Sequence, residues 1–136
     1  MLTEEMKKQM VEVLQKKTNP DFVILFGSFA KGSPRVESDV DLAYFSEKQL
    51  SSYHRFNLAN DLALICEREV DLVDIREINT IFSMQIFENG IPIYIQNENE
   101  YTRQKIKAYR MYAELNERRA IIIEGIKNRG SVFGDE

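Results

Sequence analysis

The chain has 136 residues, 43% hydrophobic and 29% charged, a composition that excludes a disordered or disulfide-built chain and predicts one domain, residues 1–136. Its net charge of −4 is uneven, because residues 1–97 carry 10 Lys and Arg against 15 Asp and Glu, whereas residues 98–129 carry 8 against 5. The acidic body argues against direct nucleic-acid binding, and the lack of a long apolar run or an apolar N-terminal leader predicts a cytoplasmic protein without a membrane span.

The first half of the chain predicts a helix, a strand, a loop and a second strand. Thr3 is suited to cap a helix whose apolar residues recur at helical spacing until the chain reaches Pro20. The unbroken apolar run at residues 22–26, which ends at Gly27, predicts a strand that is covered on both faces and central in a sheet. Residues 40–45 predict the second strand, after a loop rich in turn-forming residues.

The middle of the chain predicts a second long helix, a third strand and a short helix. The helix extends over about residues 49–67, where apolar side chains recur at helical spacing. Residues 70–75 are rich in β-branched side chains and predict a strand. A short helix follows, with Asn79 or Thr80 as its cap and Gly90 as its end.

The last third of the chain predicts a short strand and a helical extension. Residues 91–95 favour a strand, and Pro92, which has no backbone N–H, either places that strand at the edge of a sheet or shortens it. Residues 98–128 predict one or two helices with more apolar positions than a lone exposed helix carries. These helices therefore need a surface to pack on.

A possible phosphate-binding turn follows the first strand. Gly27-Ser28 ends the strand in a tight turn, where backbone N–H groups and the serine hydroxyl can approach a phosphate because Gly has no side chain. Lys31 and Arg35 lie in the loop beside this turn, either to reach phosphates or to remain solvated. The turn is thus the first candidate site in the chain.

Carboxylates next to the predicted strands form the second candidate site. Asp39 and Asp41 lie two residues apart on a strand, so their side chains share one face and suit a hard cation such as Mg²⁺. Asp71 begins another strand and is favoured as the third carboxylate, with Asp74 as the alternative on the opposite face. One cysteine and one histidine are too few for a disulfide or a structural zinc site, so carboxylates must hold any metal.

These two sites together resemble the signature of a known superfamily. Gly27-Ser28, ten residues and then Asp39-Val40-Asp41 resemble the motif of the polymerase β-like nucleotidyltransferases. The small size and the segments GSFAKG, SDVDL and EVDLVDI resemble the minimal nucleotidyltransferases, the MNT antitoxins of type VII HEPN/MNT toxin–antitoxin systems. The resemblance covers a core of about residues 20–96. The segment at about 98–128 resembles the family only in being helical.

The resemblance implies a fold and an activity. The fold is α/β (α+β), a nucleotidyltransferase fold with a small mixed β-sheet packed with helices on one face and a C-terminal helical extension. The activity is that of a protein adenylyltransferase that transfers AMP from ATP to a tyrosine of the cognate HEPN ribonuclease toxin and neutralises it. The implied partner is therefore the HEPN toxin, in a hetero-oligomer.

The resemblance also implies roles for individual residues. Gly27, Ser28 and Lys31 would bind the triphosphate of ATP, the cosubstrate; a basic residue is frequent in the family at the position of Lys31. Three aspartates would hold two Mg²⁺ ions and take part in catalysis, the third of them also helping to deprotonate the nucleophile. These aspartates are Asp39, Asp41 and Asp71.

Two other functions stay open at this point. A non-catalytic antitoxin would cover the toxin with the C-terminal helices and would not need Asp39 or Asp41. A small-molecule nucleotidyltransferase is disfavoured by length, because such relatives usually add a second helical domain for the acceptor. Some side chains outside the motifs have simpler expectations: a surface or helix-packing role for His54, a buried apolar site for Cys66, and either partner contact or core packing for Tyr101, Tyr109 and Tyr112.

Overall fold

The computed structural model describes residues 2–35 and 38–128. Helices and strands alternate along the chain, as the sequence predicts. In chain order they are α1 (Glu4–Thr18), β1 (Phe22–Phe26), α2 (Ser28–Lys31), β2 (Val40–Phe45), α3 (Ser52–Cys66), β3 (Val70–Asp74), a turn of 3-10 helix (Ile75–Glu77), α4 (Thr80–Asn89), β4 (Ile91–Ile95) and α5 (Glu98–Asn128).

The four strands form one mixed sheet in the order β3-β2-β1-β4. β2 and β3 are parallel, whereas β1 is antiparallel to both β2 and β4. The predicted central position of the apolar run in β1 is confirmed, and so is the edge position of β4, where Pro92 lies opposite Ile24 beside a shift in register. The α/β (α+β) class with a mixed sheet is therefore confirmed.

Helices cover both faces of this sheet, so the expectation of helices on one face is wrong. Successive side chains of a strand point to opposite faces, and in β1 both sets are large and apolar. Val23 and Leu25 pack under α1 and α3, whereas Phe22 and Ile24 pack under α4 and α5. The helical residues of the two layers are Met10, Leu14, Leu58, Leu62 and Cys66 on the first face and Ile86, Phe87 and Ala108 on the second.

Local signals explain where most elements begin and end. The Thr3 hydroxyl accepts a hydrogen bond from the Met6 N–H at the start of α1. Of the two candidate caps of α4, Asn79 is the one that the structure uses, because its side chain accepts from the Phe82 N–H at 2.8 Å. The segment after Gly27, expected to be a loop, begins instead with the short helix α2.

The C-terminal segment is one helix of 31 residues, α5. Its first half packs on the core, where Tyr101 lies edge-on to Phe22 with ring centroids 5.1 Å apart. Tyr109 packs in the same cluster and its hydroxyl donates to the Glu88 carboxylate. Core packing is therefore confirmed for these two tyrosines. Among the described residues, no helix combines the length and the apolar character needed to cross a membrane.

Candidate active site

The sheet brings the three predicted aspartates to one place. Asp41 and Asp71 are paired residues of the parallel strands β2 and β3, so their side chains lie on the same face of the sheet. Asp39 lies two residues before Asp41, just outside β2, and its exposed carboxylate adds a third negative charge. Residues that are 32 positions apart in the sequence thus form one acidic group.

Burial and the charge of this group both act on the pKa of Asp41. Burial raises the pKa of this half-buried carboxyl from 3.8 to about 6, and repulsion from Asp71 and then Asp39 adds to the rise. The ionised form of Asp41 is therefore held at a cost in free energy. A bound cation would remove that cost. Because neutral pH lies above this pKa of about 6, the ionised form predominates there.

Gly27 passes directly beside this acidic group. It follows β1, whose last residue, Phe26, is paired with Asp41 on the antiparallel strand β2. A Cβ atom at Gly27 would lie 2.1 Å from Oδ2 of Asp41, and the backbone there has a φ of +75°. Only glycine fits this close approach, which explains why the two halves of the sequence motif belong together.

The turn after Gly27 is the beginning of α2. The Gly27 carbonyl accepts from the N–H groups of Ala30 and Lys31, both at 3.1 Å. The first N–H groups of a helix have no acceptor within the helix, so the backbone at Ser28 is suited to an anion. Ser28 is half-buried next to the acidic group, whereas Lys31 is exposed at the end of α2, three residues further on.

Asp74, the alternative third carboxylate, lies elsewhere. It is buried on the opposite face of β3, and its carboxylate accepts from the Arg76 N–H at 2.9 Å, which caps the 3-10 turn. Burial raises its pKa. Of the two aspartates in β3, the structure therefore places Asp71 beside Asp41 and gives Asp74 a local capping contact.

The acidic group fits a divalent cation that is shared with a phosphate ligand. In the ranges 2–35 and 38–128, no three Asp, Glu, His or Cys side chains are arranged to hold a metal ion on their own. Mg²⁺ is commonly bound by one or two carboxylates together with substrate phosphates, rather than by a complete protein cage. Hard oxygen donors next to a phosphate-binding turn match that mode of binding.

One residue near the site has no counterpart in the sequence motif. Arg68 precedes β3, and its guanidinium donates to the backbone carbonyls of Arg35 and Ser38 at 3.2 and 3.1 Å. A single arginine before a strand carries no recognisable pattern, so sequence reasoning missed it. His54 is exposed at the start of α3. Its Nδ1 lies 2.8 Å from the Ser51 hydroxyl, a local hydrogen bond at the beginning of that helix.

Known proteins resemble this chain in both sequence and structure. The family model described as polymerase beta, nucleotidyltransferase matches residues 8–99. The protein adenylyltransferase MntA of Shewanella oneidensis is 31% identical over 105 residues, which cover 76% of this chain and 74% of that protein. A chain in the crystal structure of a toxin–antitoxin with AMP-PNP is 26% identical and superposes with a TM-score of 0.79 over 89% of this chain and 98% of that chain. A chain in the complex of tri-AMPylated Shewanella oneidensis HEPN toxin with MNT antitoxin, at 24% identity, shares the fold with a TM-score of 0.75 over 91% of this chain and 98% of its own.

Proposed function

This chain belongs to the polymerase beta nucleotidyltransferase family, and from that premise we propose that it is an antitoxin that adenylylates a tyrosine of a HEPN toxin. The observation that carries the proposal is the packing of Gly27 against Asp41, which joins a phosphate-binding turn to an acidic group. The Shewanella relative is named a protein adenylyltransferase, and the relative of known structure was crystallised as a toxin–antitoxin with AMP-PNP. Both names support transfer from ATP to a protein partner.

In this proposal the site residues divide into two sets. Gly27, Ser28 and Lys31 bind the triphosphate of ATP through the backbone and side chains of the turn. The three carboxylates, Asp39, Asp41 and Asp71, hold Mg²⁺, two ions in the full complex. Magnesium bound there supplies charge neutralisation for the pyrophosphate that leaves and activation of the oxygen that attacks.

The proposed reaction is a displacement at the α-phosphorus of ATP. The tyrosine oxygen of the toxin forms a bond to the α-phosphorus, and the bond from that phosphorus to the bridging oxygen of the β-phosphate breaks. Pyrophosphate leaves with the electron pair, and the proton of the tyrosine hydroxyl passes to the carboxylate of Asp71. Asp71 is exposed, so a hydroxyl group on another protein can reach it.

The acceptor comes from a second protein in this proposal. We treat residues 1–136 as a single nucleotidyltransferase domain, whose core at about 20–96 holds the nucleotide and whose helical segment at about 98–128 faces the partner. The exposed acidic group then becomes a complete acceptor site only when the toxin binds. We assign the reaction to the cytoplasm, where ATP and a ribonuclease toxin meet.

A second function, neutralisation by binding alone, is favoured by the C-terminal half of α5. Ile121, Ile122 and Ile123 are 71%, 61% and 55% exposed. Consecutive helical residues point about 100° apart, so the three exposed side chains spread over about 200° of the helix surface, which is wider than the apolar stripe of an ordinary surface helix. A toxin that binds this segment would have part of its own surface covered, and that neutralisation needs no transfer of AMP.

The test is the intact mass of the cognate HEPN toxin, after incubation with the purified protein, ATP and Mg²⁺. We expect an increase in whole adenylate units with the wild type and none with the Asp39→Asn, Asp41→Asn double variant. Asp61→Asn, which removes an exposed aspartate on α3, is the matched control and keeps full transfer. An unchanged toxin mass together with continued neutralisation would contradict transfer and support the binding function.

A further inference from the structure

We propose that Arg68 is a positioning residue, which holds the loop before Asp39 and the helix that begins at Ser28 in a fixed relation. This inference rests on the proposed function, since it names a residue that acts on the same nucleotide site. Arg68 lies three residues before Asp71, at the entrance to β3, and is half-buried. Its side chain contacts two of the segments that carry the candidate site residues.

The first contact of Arg68 is with the loop that leads into β2. Nη1 donates to the carbonyl oxygens of Arg35 and Ser38, which lie 33 and 30 residues earlier in the chain. These two loop residues also bond to each other, because the Ser38 N–H donates to the Arg35 carbonyl at 3.0 Å and the Arg35 N–H donates to the Ser38 hydroxyl at 2.7 Å. Arg68 thus ties Arg35 and Ser38, which are bonded to each other, to the start of β3, and Asp39 is the next residue after Ser38.

The second contact of Arg68 is with α2. The guanidinium carbon lies 4.9 Å from the centroid of the Phe29 ring, a distance at which a cation is attracted to an aromatic face. Phe29 follows Ser28 and packs against the core cluster beneath α1 and α3. A guanidinium is planar and combines stacking with several directed N–H groups, which an ammonium does not. Arg68 is therefore suited to bridge the loop and α2 at the same time.

The backbone next to Arg68 completes this link. The Glu69 carbonyl accepts from the Val40 N–H at 2.9 Å, which sets the beginning of β2 against the beginning of β3. The carboxylates on these two strands are held by the sheet, whereas Asp39 lies before β2 and depends on the loop for its position. Loss of the Arg68 side chain is thus expected to release Asp39 while the sheet stays intact.

The first experiment measures the loop directly and needs no activity. Hydrogen exchange is followed at the amides of Arg35 and Ser38, which are both hydrogen-bonded in the loop, in wild type, Arg68→Lys and Arg68→Gln. Arg103→Gln, which removes an exposed arginine that pairs with Glu100 on α5, is the control. We expect at least tenfold faster exchange in Arg68→Gln and a smaller increase in Arg68→Lys, with exchange in the strands and the melting temperature unchanged. Exchange as slow as in the wild type would overturn the inference.

The second experiment measures the consequence for the site, with AMP-PNP and Mg²⁺ as the probe. Groups that orient metal ligands typically change metal affinity by about tenfold to a hundredfold when they are replaced. We therefore expect the Mg²⁺ concentration for half-maximal AMP-PNP binding to rise by that factor in Arg68→Gln, with partial rescue in Arg68→Lys. A looser loop with unchanged Mg²⁺ dependence would overturn the positioning role.

Two further outcomes are covered by the same design. If Arg68→Gln fails to fold, Phe29→Leu keeps an apolar side chain and removes only the ring, and it is expected to change loop exchange and Mg²⁺ dependence in the same direction. No change in either quantity would then overturn the inference. If the wild type binds no AMP-PNP, the proposed function is wrong, and the hydrogen-exchange result still decides whether Arg68 holds the loop.

Discussion

Replacement of Asp41 by asparagine is expected to stabilise the metal-free protein while it weakens the proposed site. Asp41 has its pKa raised to about 6 by burial and by the neighbouring charges of Asp71 and Asp39. A carboxyl group whose pKa is higher in the folded state binds protons more strongly there, so its ionisation destabilises the fold. Asparagine has nearly the same shape and no charge, and it removes this cost.

The size of the effect follows from the same pKa. At ~1.4 kcal/mol for each pKa unit, a rise from 3.8 to about 6 corresponds to ~3 kcal/mol at pH 7. Asp41 is only half-buried, and solvent screening reduces the realistic gain to ~1 kcal/mol. For a chain of this size such a gain raises the melting temperature by ~3 °C.

The dependence on pH gives the sharper test. The destabilisation by Asp41 is absent below pH 3.8, grows as the group ionises between pH 3.8 and about 6, and is complete above that range. The stability of the wild type is therefore expected to fall relative to the variant as the pH rises through this range. Asp21 and Asp74, whose pKa values burial also raises, are present in both proteins and cancel in the difference.

The assay is urea unfolding with EDTA present, at several pH values between 4 and 8, for wild type, Asp41→Asn and Asp61→Asn. Asp61 is exposed on α3, and its replacement controls for the loss of one negative charge from an acidic chain. A variant at Asp41 that is no more stable than the wild type at pH 7, or a difference that does not shrink towards pH 4, would refute the electrostatic reasoning.

Three other predictions concern the turn, the third carboxylate and the C-terminal helix. Gly27→Ala is expected to lower the free energy of unfolding by ~2 kcal/mol or more, because the new Cβ meets a carboxylate oxygen at 2.1 Å and the φ of +75° disfavours alanine. The control Gly32→Ala has the same φ but open space around the new Cβ, so it costs only ~1 kcal/mol, and equal melting temperatures of the two variants would contradict the close contact. Asp71→Asn is expected to slow AMP transfer by about 10²- to 10⁴-fold, whereas Asp74→Asn, which keeps an acceptor for its capping contact, stays near the wild-type rate. The reverse order of rates would assign the role of third carboxylate to Asp74. Ile122→Glu changes an exposed residue of α5, so it is expected to leave the melting temperature and AMP-PNP binding unchanged and to weaken toxin binding at least tenfold in calorimetry. An unchanged Kd for the toxin would exclude this part of α5 as the surface that binds it.

Local signals in the sequence were sufficient for most elements of the fold. The apolar run that became β1, the proline that restricts β4 to an edge and the caps at Thr3 and Asn79 act through neighbouring residues. The helix α2 was not predicted, because four residues after a glycine carry too little periodicity to separate a helical turn from a loop. The single helix at the C-terminus was one of two predicted possibilities.

The residues of the phosphate turn and the first two carboxylates could also be predicted from local sequence. Gly27-Ser28 follows β1, and Asp39-Val40-Asp41 leads into β2, which is antiparallel to β1, so a fixed spacing along the chain corresponds to a fixed distance in space. Short-range spacing therefore determined which residues carry the phosphate turn and the first two carboxylates. The structure adds the reason, which is that a side chain at Gly27 would collide with Asp41.

Other features were decided only by the tertiary structure. The parallel register of β2 and β3 places Asp71 beside Asp41 and turns Asp74 into a cap, and that register depends on packing between segments that are distant in the chain. The second helical layer, and the contacts of Arg68 with a loop 30 residues earlier, have no local pattern either. The sequence determined the chemical groups and their strands because those are local properties, whereas the partners of each group follow from how the whole chain packs.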